Sequence, residues 1–317
     1  MVSKEKMNTK KRDLVIIGSG PAGLSAAIYA KRAMLDVVVI EKEYVSGGQV
    51  INSGRIDNYL GYYGISGFDL SEKFRAHADA LSVAFAEEDV TKIIIHGKEK
   101  EVYLGDDTII RTNALIVATG AKHRLLDIPG EKEFLGAGVS YCATCDGMFF
   151  ENREVAVVGG GDTALEEALY LSKICKKVFL IHRRDELRAT IILQEQVLKT
   201  KNIQFLPYTE LRSIQGSGKV EEIEVFQNQT NEIDRIKVNG VFIAVGMEPV
   251  NELVKDLVLT DNKGYVVAGE DCRTNIPGVY VAGDIRTKNL RQIITAVSDG
   301  ALAIRSLEED LERDNLC

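Results

Sequence analysis

The sequence predicts an α/β fold built on two Rossmann-type nucleotide-binding units. Three observations carry that expectation. An apolar run, a glycine-rich turn, a helical stretch and a second apolar run follow one another from Asp13, and the same series recurs from Val155. The interval from the first glycine to the residue ending the second apolar run is the same in both copies, Gly18 to Glu41 and Gly159 to His182. The chain has 317 residues, enough for two cores at roughly 100–200 residues each.

In the first unit Asp13 to Ile17 reads as a strand, Gly18-Ser19-Gly20-Pro21-Ala22-Gly23 as the turn, Leu24 to Met34 as a helix and Val37 to Ile40 as the second strand. The first glycine permits the tight turn and the second lets the backbone approach a pyrophosphate. The third position keeps helix and strand close, and the helix N-terminus offers unpaired N–H groups to the phosphates. Glu41 can accept hydrogen bonds from both hydroxyls of an unphosphorylated ribose, as in FAD or NAD.

The second unit runs Val155 to Val158, Gly159-Gly160-Gly161-Asp162-Thr163-Ala164, a helix over Leu165 to Ile174, and a strand over Val178 to Ile181. Here His182-Arg183-Arg184 stands where the first unit has Glu41, with Arg188 one helical turn on. A carboxylate would repel a 2′-phosphate, whereas Arg binds it bidentately. The first unit therefore suits FAD and the second NADPH. The competing reading of the arginines is the solvated start of a helix.

Further segments follow the same logic. Ala114 to Ala121 (ALIVATGA) and Val241 to Met247 (VFIAVGM) read as strands running to a chain crossover at a glycine. Val279 to Asp284 (VYVAGD) is a strand presenting Asp284, which could bind the ribityl hydroxyls of a flavin or cap a following helix. Between residues 200 and 240, alternating strands such as Ile203 to Phe205 and Ile223 to Phe226 predict a β-meander layer on the second unit. Met1 to Arg12 reads as a flexible leader without the features of a signal peptide, with Met7 as an alternative start.

Composition narrows the function classes. The net charge of −8 argues against non-specific nucleic-acid binding. No apolar run approaches the roughly 20 residues of a membrane span. Five cysteines, of which only two are close, do not form a secreted disulfide framework, so a cytoplasmic protein is expected. That pair, Cys142 and Cys145, can close a small disulfide ring or contribute to a metal site. The metal reading needs two more ligands, and no histidine clusters near Cys175, Cys272 or Cys317, so no metal is expected. Asp146 could protonate a leaving thiolate or simply begin a turn at Gly147. Cys175 reads as core, Cys317 as an incidental tail thiol, and His77, His96 and His123 as structural or surface residues.

At this point the residues resemble a known family. The motifs GSGPAG (18–23), GGQ (47–49), ATGA (118–121), VSYCATCDG (139–147), VVGGGDTALEEALYL (157–171), HRRDELRA (182–189), AGDI (282–285) and RQIITAVSDGALA (291–303) are similar to those of the low-molecular-weight, bacterial-type thioredoxin reductases, over nearly the whole chain. The resemblance implies two three-layer (ββα) domains, the second inserted into the first. The FAD domain would comprise residues 1–118 and 247–317, and the NADPH domain residues 119–246. It implies that Cys145 faces the flavin, Cys142 attacks the disulfide of thioredoxin or a thioredoxin-like protein, and Asp146 is the acid. Gly48, Gln49, Asn58, Ala118, Thr119, Gly120, Arg291 and Gln292 would join the first turn, Glu41 and Asp284 along the FAD. Gly159, Gly161, Asp162, Thr163 and His182 would join the arginines along the NADPH. A homodimer is also implied. The sequence departs from the family at Asn58-Tyr59-Leu60-Gly61, where a proline is usual before the glycine.

Three other readings compete. A ferredoxin-dependent relative would have a degraded second nucleotide motif, a hydroperoxide reductase would carry an extra thioredoxin-like module, and a flavin-bound sensor or binding module would not need an acid beside its thiols. The dithiol precedes the strand Val155 to Val158 and the second glycine turn follows it, so the two are expected at opposite ends of that strand. Their separation predicts rotation of residues 119–246 during turnover.

Overall fold

The computed structural model describes residues 9–315, which fall into two compact units. Cys317 and most of the expected leader lie outside the described residues.

The first unit comprises the chain up to Lys122 and from Glu248 onward. In chain order its first part holds β1 (Thr9–Lys11), β2 (Leu14–Ile17), α1 (Pro21–Arg32), β3 (Val37–Glu41), α2 (Gly67–Ala80), β4 (Ala84–Glu87), β5 (Val90–His96), β6 (Glu99–Leu104), β7 (Ile109–Thr112), β8 (Ala114–Val117) and the connecting strand β9 (Ala121–His123). Leader residues Thr9–Lys11 are a strand, not a loose tail, because they pair in parallel with Ile109, Ile110 and Arg111. α1 stops at Arg32, short of the expected Met34, whose φ of 60° is left-handed and ends the helix.

The second unit is His123–Met247. It contains β10 (Val139–Ser140), α3 (Ala143–Asp146), β11 (Glu154–Val158), α4 (Asp162–Ser172), β12 (Lys177–Ile181), α5 (Ile191–Lys199), β13 (Ile203–Leu206), β14 (Thr209–Gly216), β15 (Val220–Gln227), β16 (Glu232–Lys237) and β17 (Gly240–Ile243). Its five-stranded sheet runs β10-β17-β11-β12-β13 with every pair parallel. The meander is smaller than expected. Ile203–Leu206 pairs with β12 as the edge of the parallel sheet, and only β14, β15 and β16 form the antiparallel layer.

The chain returns to the first unit through β18 (Met247–Pro249), followed by β19 (Val279–Val281) and α6 (Ile293–Asn315). The parallel sheet of this unit then reads β19-β8-β2-β3-β4, and the second sheet β1-β7-β6-β5.

Both units have three layers, and the alternation of strand side chains explains why. Leu14, Ile16, Val37, Val39, Ala114 and Ile116 face α1 and α6, whereas Val15, Ile17, Val38, Ile40, Leu115 and Val117 face Ile93, Val102 and Ile110 of the second sheet. A strand buried on both faces must be apolar throughout, which is why β2, β3 and β8 carry no charged residue before Glu41. In the second unit Val155, Val157, Val178 and Leu180 face α4 and α5, while Ala156, Val158, Phe179 and Ile181 face β14 and β15. Each unit is therefore helix, parallel sheet and second sheet.

Candidate active site

The dithiol sits where β10 ends. Cys142 and Cys145 form a disulfide with Cα atoms 5.3 Å apart, and both residues are partly exposed. Ser140 closes the loop on one side: its Oγ accepts from the Cys142 amide at 3.0 Å and donates to Asp146 Oδ2 at 2.6 Å. Burial holds the Asp146 carboxyl above the usual carboxylate range, and the Ser140 hydrogen bond opposes that rise. On the other side Glu131 is fully buried and accepts from the amides of Leu126 and Asp127 and from the Tyr141 hydroxyl. The Tyr141 ring stacks on His123. The peptide entering Cys142 is thereby fixed.

Two residues near the dithiol were not singled out from the sequence, Ser140 and Glu167. Glu167 lies on α4, its Oε1 accepts from the Ala143 amide at 3.2 Å, and its Oε2 is buried with no partner. The sequence did hold a signal for it. Glu167 borders the apolar face Ala164, Leu165, Ala168 and Leu171, where a glutamate has to meet protein rather than water.

The expected longitudinal separation of the dithiol and the second glycine turn does not hold. β10 and β11 both run parallel to β17, with Ser140 and Val157 each opposite Phe242. Cys142 and Gly159 therefore leave the same edge of the sheet, two strands apart, or about 10 Å at the usual strand spacing. The chain doubles back between them, and Phe150 packs below Gly240 at the opposite edge of β17.

At the first glycine turn Gly18 has φ 101°, and a Cβ there would lie 2.6 Å from the Ala118 carbonyl oxygen. A Cβ at Gly23 would meet Gly18 O at 1.9 Å, which is the close helix–strand approach expected of the third position. Nothing lies within 4 Å of the Cβ direction at Gly20, so the turn is open where a pyrophosphate would rest. Pro21 takes the first helical position and Ala22 is buried beneath it. Glu41 Oε2 accepts from both the amide and the hydroxyl of Ser19 at 2.8 Å. Gly47 N–H reaches Ser19 O, placing Gly48 and the exposed Gln49 against the same turn. Ala118 lines the turn from β8, Gly120 bends at φ 73°, and Thr119 donates to Val250 O.

Asp284 is the orphan of this unit. Its Oδ1 is buried without a partner, and burial pushes its carboxyl above the usual range. It caps no helix, since α6 begins only at Ile293. Asn58 Nδ2 donates to Gln292 Oε1 at 2.9 Å, which brings those two residues together. Arg291 instead folds onto its own loop, donating to the carbonyls of Asp284, Arg286 and Lys288 and lying over the Tyr265 ring. An open glycine turn, a ribose-side carboxylate and a buried acceptor with nothing to accept from fit a bound flavin nucleotide.

At the second turn Gly159 approaches Ala244 O and Ala164, and Gly161 is open. The segment after β12 is not helical, contrary to the spacing expected for Arg188. It loops back over the turn: the Arg188 amide donates to Gly160 O at 2.7 Å, and the Thr190 amide to Asp162 Oδ1 at 2.7 Å. Thr163 is exposed beside Asp162 at the start of α4. His182 is buried under Gly160, its Nε2 without a partner, and burial holds its imidazole below the usual range with the nearby arginines adding to the effect. Arg183, Arg184 and Arg188 are exposed on this loop. Three guanidinium groups beside an open helix N-terminus fit a nucleotide with an extra phosphate.

Cys175 and Cys272 are buried, and burial pushes their thiols up to about 11 and about 12. Among the described residues, no cluster of three or more His, Cys, Asp or Glu could hold a metal ion, and no helix is long and apolar enough to cross a membrane.

Comparison with known proteins agrees with this geometry. The pyridine nucleotide-disulphide oxidoreductase family matches residues 12–300. A thioredoxin reductase of Listeria innocua is 44% identical over 313 residues, covering 98% of this chain and 96% of its own. A thioredoxin reductase of Bacillus subtilis is 41% identical over 301 residues, covering 95% of each chain. The crystal structure of a thioredoxin reductase from Streptococcus pyogenes superposes with a TM-score of 0.90 at 43% identity, over 96% of this chain and 99% of that one.

Proposed function

The chain belongs to the pyridine nucleotide-disulphide oxidoreductase family, and we propose that it reduces the disulfide of thioredoxin, or of a thioredoxin-like protein, with electrons from NADPH through FAD and the Cys142–Cys145 pair. The observation that carries this reading is a partly exposed disulfide with a partly buried acid beside it, in a chain that also holds two open glycine turns. The full-length likeness to enzymes named thioredoxin reductase supports the choice of acceptor.

Gly18 to Gly23, Glu41, Gly48, Gln49 and Asp284 would hold FAD, with Ala118 to Gly120, Asn58 and Gln292 around them and Arg291 bracing the loop that carries Asp284. Gly159 to Thr163, Arg183, Arg184 and Arg188 would hold NADPH, with His182 supporting the turn from below. When bound, the nicotinamide supplies two electrons and the flavin delivers them to a disulfide.

The protein's own residues then perform the exchange. In the reduced pair Cys142 attacks one sulfur of the partner's disulfide, and the other partner sulfur leaves as a thiolate. Asp146, whose burial favours the protonated carboxyl, supplies a proton to a leaving thiolate. Cys145 attacks Cys142 in the mixed disulfide, which releases the partner as a dithiol and restores the ring. Ser140 orients Asp146 and the Cys142 amide together. A cytoplasmic homodimer completes the reading.

The test is Cys142→Ser. The variant should lose thioredoxin reduction while anaerobic NADPH still bleaches the flavin band. Normal thioredoxin turnover by this variant would remove Cys142 from the reaction.

A further inference from the structure

Glu167 has no part in the scheme so far, yet it is the carboxyl tied to the peptide between the two cysteines. α4 packs against α3, and this contact sets Glu167 Oε1 on the amide of Ala143, whose neighbour is Cys142. The other oxygen is shut in without a donor. An ionised carboxylate with one oxygen unsatisfied is costly to bury, and a neutral carboxyl much less so. Burial accordingly raises Glu167 to about 7, and the charges of Asp146 and Glu166 add to the rise, while the Ala143 hydrogen bond opposes it. The other elements packed against α4 carry Glu195 and Lys199 on α5, Glu154 on β11 and Lys177 on β12.

Asp146 on α3 and Glu167 on α4 are thus two partly buried carboxyls, and the charge of the first raises the second. Such a pair gives up its protons in two steps that belong to the pair, and the second is delayed by repulsion. We propose that Glu167 is a positioning residue of the dithiol exchange: it holds the amide of Ala143, the residue after Cys142, and stands as a second carboxyl beside Asp146 for the proton that a leaving thiolate needs. This rests on the reading of Cys142–Cys145 as the exchange dithiol. The proton balance is simple. The pair gives one proton to the thiolate, and solvent returns one to the pair.

The signs of the expected effects follow. Glu167→Gln keeps an oxygen for the Ala143 amide but removes the carboxyl on which Asp146's charge favours the proton, leaving Asp146 as the one acid of the pair. The alkaline fall of kcat/KM for thioredoxin should then move to lower pH by at least ~0.5 unit. The thiolate of the reduced pair loses a negative neighbour, so alkylation of the dithiothreitol-reduced holoenzyme by iodoacetamide should also rise at lower pH. Glu167→Ala removes the acceptor as well and should lower kcat/KM roughly tenfold at every pH. Glu167→Gln with wild-type profiles in both assays would overturn the proposal. So would a lowered rate with unshifted profiles, since that is the mark of a purely structural role. Alkylation needs no protein partner, so it reads Glu167 separately from the acceptor. Loss of the underlying scheme would appear instead as thioredoxin turnover by Cys142→Ser.

Discussion

A phosphate monoester is gripped best by planar guanidinium groups, and Arg183 and Arg184 offer two of them on an exposed loop. Removing both should abolish two charged contacts at about 1.5–3 kcal/mol each, so the preference for NADPH over NADH should fall at least ~10-fold in Arg183→Ala/Arg184→Ala. Ratios of kcat/KM for the two nucleotides measure this directly, and an unchanged ratio would place the phosphate elsewhere. At this scale the sequence was readable where chemistry depends on spacing. Cys142, Cys145 and Asp146 are three neighbours in one short segment, and Glu41 and His182 each close a repeat. It was unreadable where a role depends on which groups a buried side chain meets. Nothing in the residue type of Glu167 says that one oxygen will meet Ala143 and the other nothing, because that is decided by how α3 lies on α4. The sequence likewise did not show that three backbone carbonyls of its own loop would accept from the Arg291 guanidinium.

Elements place these residues, and their packing has little slack. Gly300 of α6 faces α1, where a Cβ would lie 2.3 Å from Ala22 O and 2.7 Å from the Ala26 amide nitrogen, and Ser25 donates to Val297 O across the same crossing. These contacts are to backbone, which cannot turn aside as a side chain can. Gly300→Ala should push α1 outward and with it the first glycine turn. Overpacking of this kind costs ~1–3 kcal/mol, so the variant should melt lower and retain less flavin after gel filtration. Full flavin content with an unchanged Tm would show that the crossing tolerates a methyl group. Element types were legible in the apolar runs, whose double-sided burial predicts parallel strands. Element partners were not. The run Ile203–Leu206 reads as one more alternating strand, and only pairing with β12 assigns it to the parallel sheet. The same holds for β10, two residues long and silent in sequence, whose register with β17 moves the dithiol to the edge that also carries the second glycine turn. The rotation inferred from opposite ends of β11 loses that premise.

At the scale of the whole molecule, the described residues place two apolar cores on the parallel sheet of each unit, and a smaller cluster of Val50, Ile56 and Leu70 lies in the first unit. No core needs residues from both units: those of the first draw on residues before Ala121 and after Val250, and those of the second on residues Leu126 to Val245. The ends of the inserted segment also lie side by side in each unit. Val250 N–H bonds to Gly120 O in the first, and Arg124 N–H bonds to Gly246 O at 3.0 Å in the second. A segment whose ends meet and whose cores are its own has the anatomy of an independent domain. Residues 123–247 expressed alone should therefore fold, unfold cooperatively in urea and keep the Cys142–Cys145 ring. They should also bind NADP⁺, because the second glycine turn and its three arginines lie inside the segment. Titration calorimetry against NADP⁺ and NAD⁺ tests the last point. A fragment that unfolds without a cooperative transition, or that binds neither nucleotide, would mean that the second unit depends on the first for more than its place in the chain.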